Sequence, residues 1–248
     1  MQSALDQFRI SIARVRDLIA IYNSVQMQAT TALDLTDMLR AALVMAVSAL
    51  DYYIHEVVTL SMLEIHRGQR PEPVVSRNSS QSAFSRFKVS LGNARQERLT
   101  ALDITSLKND IQQALGSAFT AESHTLNEVL PILSRSISNR LNSNSWLEDE
   151  IRQTLSYKSF QQPNNIADAI RLISDVSLWV SVANILGKPT EMVKQQLTFI
   201  VDRRNKIAHE ADIDMTYGIG NRWPIDEDLV NEAVTFIEQL IEAIHQSL

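Results

Sequence analysis

No cysteine occurs in the 248 residues, so neither a disulfide nor a thiolate metal site holds this fold together. That absence suits a reducing compartment. Only six glycines and six prolines are present. They cluster between long segments rich in Leu, Ala, Ile, Gln, Glu and Arg, which is the punctuation of helices rather than strands. The opening residues Met1–Arg9 lack the basic-then-apolar order of a secretory signal. The uncharged run Ala41–Leu50 falls far short of the roughly 20 apolar residues of a membrane span. The expectation is a cytoplasmic chain without membrane contact. A phosphate-cradling glycine loop and a nucleophilic Ser or Cys constellation are also missing. His55-Glu56-Val57-Val58-Thr59 opens like a zinc-protease helix but has no second His. No metal and no cofactor are expected.

What is present is a hydrophobic fraction of 45%, enough for a substantial core. The net charge of −6 argues against coating nucleic acid by bulk electrostatics. Charge is uneven, however. Residues 68–165 hold 11 basic and 9 acidic side chains, while the flanks hold 12 and 20. Any polyanion contact must therefore use a local patch.

Leu5, Phe8, Ile12, Val15, Ile19 and Tyr22 recur at spacings of three and four, which predicts an amphipathic helix from Ser3 to about Gln28. A second, longest helix is expected from Asp34 or Thr36 through Ile65, stopped by Gly68 and Pro71. Gly68–Gln81, rich in Pro, Ser, Asn and Arg, reads as an exposed loop. Shorter helical patterns follow at Ala83–Leu91, Arg95–Phe119, Leu126–Arg140 and Trp146–Ser156. Breaks are expected at Pro131, at Asn142-Ser143-Asn144-Ser145 and at Gln161-Gln162-Pro163-Asn164-Asn165. One helix is expected over Ile166–Leu186, closed by Gly187, and another from a Thr190 cap to about Glu210. The last begins after Asp226, where Glu227 and Asp228 suit a helix N-terminus.

At about 100° per residue, Val193, Leu197, Ile200, Val201, Ala208 and Ala211 share one apolar face with Arg204 in its middle. A guanidinium at a core position needs a partner. Asp51 is the one charged residue between Ala41 and Ile54, beside the line Leu43, Val47, Leu50 and Ile54, so an Asp51–Arg204 contact is expected. Asp202, Asn205 and His209 form a separate polar file at i, i+3 and i+7. With Arg203 and Lys206 nearby, this helix end joins phosphate-pairing cations to a histidine able to trade a proton near neutral pH. Asp212 and Asp214 offer oxygen ligands to a cation, although acidic loop residues ordinarily face water. Trp223 beside Arg222 can stack a base or simply pack the loop.

The run Arg203-Arg204-Asn205-Lys206-Ile207-Ala208-His209, late in a helix before a C-terminal one, resembles the Arg-x(4–6)-His motif of HEPN-domain proteins. The segment from Leu39 to His55, containing Asp51, is similar to the acidic-residue helix of the RiboL-PSP type. The resemblance covers roughly Asp34–Ile65 and Phe160–Leu248. It implies an all-α, antiparallel HEPN bundle, one domain over 1–248, with residues 68–165 as a helical insertion between the second and penultimate core helices. It also implies a homodimer whose two motifs face one cleft and cleave RNA without metal. Arg204 and Asn205 would hold phosphate while His209 moves protons, with Arg203, Lys206, Asp202 and Asp51 in support. The family context is a toxin–antitoxin or antiviral-defence effector with a partner protein. The competing expectation is a non-catalytic module that binds RNA, a nucleotide or a protein through the same cleft. Arg204 and His209 lie about 140° apart on an ideal helix, so one helix alone does not aim both at one phosphate.

Overall fold

The computed structural model describes residues 1–28, 34–74, 82–87, 111–112, 115–121, 123–141, 144–214, 216 and 220–248. Among these residues there are nine helices and no strand. They are α1 (Gln2–Gln26), α2 (Thr36–His66), α3 (Ser117–Ala121), α4 (Leu126–Leu141), α5 (Asn144–Ser156), α6 (Pro163–Ile170), α7 (Leu178–Leu186), α8 (Thr190–Glu210) and α9 (Glu227–Ser247). The chain forms two compact units, one of residues 1–86 and 158–248 and the other of residues 87–157.

In the first unit α2 is the central helix and packs against α1, α6, α8 and α9. Its length and composition match those of a membrane-crossing helix. Its apolar side chains, however, are taken up by neighbouring helices: Leu43, Val47, Leu50, Tyr53, Ile54 and Val57 are all buried. The expected α1 stripe of Leu5, Phe8, Ile12, Val15 and Ile19 is buried as well. Arg9 grips Glu242 with two hydrogen bonds of 2.8 and 2.9 Å, and Arg16 pairs with Glu238, so α1 and α9 are also stitched at the surface. Such exposed pairs are screened by solvent and contribute little, so the buried stripe decides the packing.

Several expectations fail for identifiable reasons. The segment expected as one helix over Ile166–Leu186 is two, because residues 171–177 turn between α6 and α7. The Ser174 hydroxyl accepts the Val176 N–H there, competing with helical pairing. The buried Trp179 indole donates to the Pro163 carbonyl at 3.0 Å and holds the two helices together across the turn. Pro131 does not break α4 but sits in its second turn, where it forfeits a single backbone bond. The α8 N-cap is Pro189 rather than Thr190. Gly187 does close α7 in the left-handed conformation, and the Asp226 carboxylate does accept the Leu229 N–H at the start of α9. Residues 83–86 form a turn, and Gly116, at φ 84°, interrupts the helix expected over Arg95–Phe119, so that α3 starts anew at Ser117; residues 88–91, 95–110, 113–114, the loop from 75 to 81, and Asn142 and Ser143 lie outside the described residues.

At the far end of α9, the hydroxyl of the fully buried Tyr53 lies 2.9 Å from Nδ1 of His245. Burial holds this imidazole below the usual histidine range and Arg9 adds to that, while Glu242 and Asp6 oppose it. The unfolded chain therefore binds a proton at His245 more readily than the folded one. Stability is lost as pH falls through the ordinary histidine value of about 6.5. The melting temperature is expected to drop between about pH 7.5 and about pH 5.5 more steeply for the wild type than for His245→Asn. Parallel melting curves for the two would remove His245 as the cause.

Candidate functional site

The C-terminal half of α8 is positioned by what happens just beyond it. Ala211 and Asp212 both adopt left-handed backbone conformations, with φ of 51° and 59°. Neither is glycine, and such residues cost about 1–3 kcal/mol each when the surroundings hold them there. What holds them is the Asp212 side chain, which is completely buried. Its carboxylate accepts from Arg40 Nε of α2 and from Arg203 Nη2 at 2.7 and 2.8 Å, and from Arg203 Nη1. The carbonyl of Trp223 accepts from Arg40 and Arg203 at 2.9 and 3.1 Å, and that of Pro224 accepts from Arg203 at 3.2 Å. Thr36 Oγ1 completes the set by accepting from Arg40 at 2.6 Å. One carboxylate thus joins α2, α8 and the loop that follows α8. Burial lowers the Arg203 proton affinity, Asp212 works against this, and Arg40 reinforces it.

This network reassigns the expected residues. Arg203 gives its two Nη groups to Asp212 and to the Trp223 and Pro224 carbonyls, so its charge is already paired within the fold. Asp212 and Asp214, expected to face water, are both buried. Asp214 accepts the Thr216 N–H, and its own N–H donates to the Asn221 carbonyl. Arg40 is absent from the sequence candidates, and Asp212 stands there only as a cation ligand.

The expected Asp51–Arg204 contact is not made. Asp51 accepts the backbone N–H of Phe160 at 2.6 Å and Gln161 Nε2 at 3.3 Å, so it ties α2 to the chain entering α6. His55, one turn further along α2, packs against the Phe160 ring at a tilt of 50°, with centroids 4.5 Å apart. Arg204 pairs with no carboxylate among the described residues. Its Nη1 donates to Asn205 Oδ1 at 3.1 Å, and its Nε is buried without an acceptor. An orphaned buried donor costs about 1–3 kcal/mol, and sites of function are where such costs are tolerated.

The apolar face of α8 carries Val193, Leu197, Ile200 and Val201 into the core, but Ala208 and Ala211 are exposed, so the stripe ends before the motif does. His209 is exposed in the last turn, and Asp202 is exposed with Gln162 Nε2 3.5 Å away. Lys206 Nζ lies over the Trp223 ring, 4.5 Å from its centroid.

Met192, Gln195, Phe199, Asp202, Lys206 and His209 succeed one another at alternating spacings of three and four, which places them on one face of α8. Phe199 is 72% exposed and Met192 54%. Beside this face a cavity of about 480 Å³ is lined by Leu43, Met192, Phe199, Ile200 and Leu229, with Arg203 at its edge, and it does not include Arg204, Asn205 or His209.

An all-helical chain whose penultimate helix presents Arg-Asn and His at its end, followed by a packed C-terminal helix, defines the HEPN class of helical proteins. The chain matches the family model of RiboL-PSP-HEPN over residues 10–248 and belongs to that family. This membership connects it with nuclease and RNA-related function. Neither a curated protein nor a solved structure matches it.

Proposed function

We propose that this chain is a metal-independent endoribonuclease that works as a homodimer, with each of two equivalent sites composed from both copies of the α8 motif. The observation that carries this reading is the difference between two neighbouring arginines. Arg203 is paired with Asp212, whereas Arg204 has no carboxylate partner among the described residues and a buried Nε donor without an acceptor among them. A phosphodiester oxygen pairs with the guanidinium charge. Asn205, already joined to Arg204, gives a second polar contact to the same phosphate.

His209 supplies the proton chemistry, since imidazole is the side chain whose ordinary titration lies nearest neutrality. One imidazole takes the proton of the ribose 2′-hydroxyl as its oxygen attacks phosphorus. The bond from phosphorus to the 5′-oxygen breaks, and the imidazolium so formed returns its proton to that oxygen. The products are a cyclic phosphate and a 5′-hydroxyl end. The separation of Arg204 from His209 around α8, about 140°, is what asks for the second chain. The exposed face running from Met192 and Phe199 to His209 supports its placement. A copy docked along that line covers the apolar half and brings its own His209 toward the motif. The setting this activity fits is a toxin–antitoxin or antiviral-defence effector, with residues 87–157 as an insertion in the HEPN bundle.

The same 140° separation favours one other reading, in which the cleft binds RNA, a nucleotide or a protein without cutting. Incubating the purified protein with mixed single-stranded RNA in excess EDTA separates the two. Cleavage that yields cyclic-phosphate ends and disappears in a monomeric Phe199→Asp variant is the expected result. Intact RNA at every protein concentration, with a dimer present, would leave binding as the function.

A further inference from the structure

Trp223 is built differently from a packing residue. Its backbone is fixed on both sides: the N–H donates to the Asp212 carbonyl at 2.9 Å, and its own carbonyl accepts from two arginines. The antiparallel bridge between Ile213 and Arg222 fixes the residue before it, and Pro224 restricts the residue after it. The side chain stands half-exposed on this rigid support. Its indole N–H has no acceptor among the described residues, in contrast to the buried Trp179, whose N–H is satisfied by Pro163. Buried tryptophans normally find such a partner. What covers the ring is Lys206, a flexible cation one turn before His209 on the same face of α8.

We infer that Trp223 is the base-stacking platform of the site, with single-stranded RNA as its ligand. This rests on the ribonuclease reading above. The pair is a matched exchange: a phosphate takes the Lys206 ammonium, and a nucleobase takes the ring face that the ammonium leaves. Both substitutions are made by one nucleotide strand, which carries anion and π-face at a fixed separation. Stacking is tolerant of base identity but stronger for purines, so the platform favours purine-containing single strands near the scissile phosphate without reading a sequence.

The test uses uncleavable 2′-O-methyl oligoadenylate and an abasic oligomer of the same length, with affinities measured for the full-length protein. Trp223→Ala is expected to weaken oligoadenylate binding by about ten-fold, while Trp223→Phe stays near the wild type. Abasic binding is expected to be unchanged in both. Lys206→Gln is expected to lower the salt dependence by about one phosphate contact on either probe. Equal affinities of wild type and Trp223→Ala for oligoadenylate would overturn the platform and leave the nuclease reading standing. Equal losses on the abasic oligomer would show that Trp223 is structural and overturn it too. A wild-type protein that binds neither probe would overturn the RNA reading itself.

Discussion

Asp212→Ala is expected to lower the melting temperature by roughly 6–20 °C. The change leaves two guanidinium groups facing one another with no carboxylate between them, and Arg40 is only 6% exposed. Removing one partner of a buried ion pair costs about 3–5 kcal/mol because the charge left behind is desolvated and unpaired. For a chain of this size each kcal/mol is worth about 2–4 °C. Asp212→Asn retains one oxygen acceptor and is expected to fall between the variant and the wild type. Thermal melting followed by circular dichroism at low and at moderate salt checks this. A loss of only a degree or two would mean that the left-handed turn at Ala211 and Asp212 is held by something other than the carboxylate.

The same residue explains why part of the site could be read from the sequence and part could not. The stripes of α1, α2 and α8 are strictly periodic, and their ends carry recognisable signals in Gly187 and Asp226. By contrast, Ile166–Leu186 is apolar on nearly every side, so periodicity could not show the turn at 171–177. Only Ser174, Asp175 and Ser177 marked it. Identifying the arginine partners needed more than a wheel. Arg203 and Arg204 are adjacent, and nothing local says which one a carboxylate will reach. Asp212 reaches Arg203 through two left-handed residues, a conformation ordinarily announced by Gly or Asn and here carried by Ala and Asp.

Asp51 attracted attention as the one charge on its stretch of α2, but its partner is a backbone N–H, which no side-chain pattern reveals. Arg40 was legible in principle. It occupies the first position of the stripe Arg40, Leu43, Val47, Leu50 and Ile54, spaced three and four apart, and an arginine there demands a buried anion.

Two single variants, each inactive alone, are expected to recover activity when mixed. His209→Ala removes the group that moves protons, a loss of about 10²- to 10⁴-fold. Arg204→Ala removes a charged phosphate contact, a loss of about 10²- to 10³-fold. If each site draws its arginine from one chain and its histidine from the other, a mixed dimer contains one site with both groups intact and one with neither. Random exchange makes half of all dimers mixed, so about a quarter of the wild-type rate should return. Refolding or slow exchange of the two variants together, followed by the RNA assay in EDTA, reads this out. If both groups instead came from one chain, every site in the mixture would lack one of them and the mixture would stay as inactive as its parts. Retained cleavage by His209→Ala alone would sink the proton-transfer role outright. Arg203→Ala is the contrasting control: because its guanidinium is already paired with Asp212, its loss should appear as a fall in melting temperature that mixing with His209→Ala does not repair.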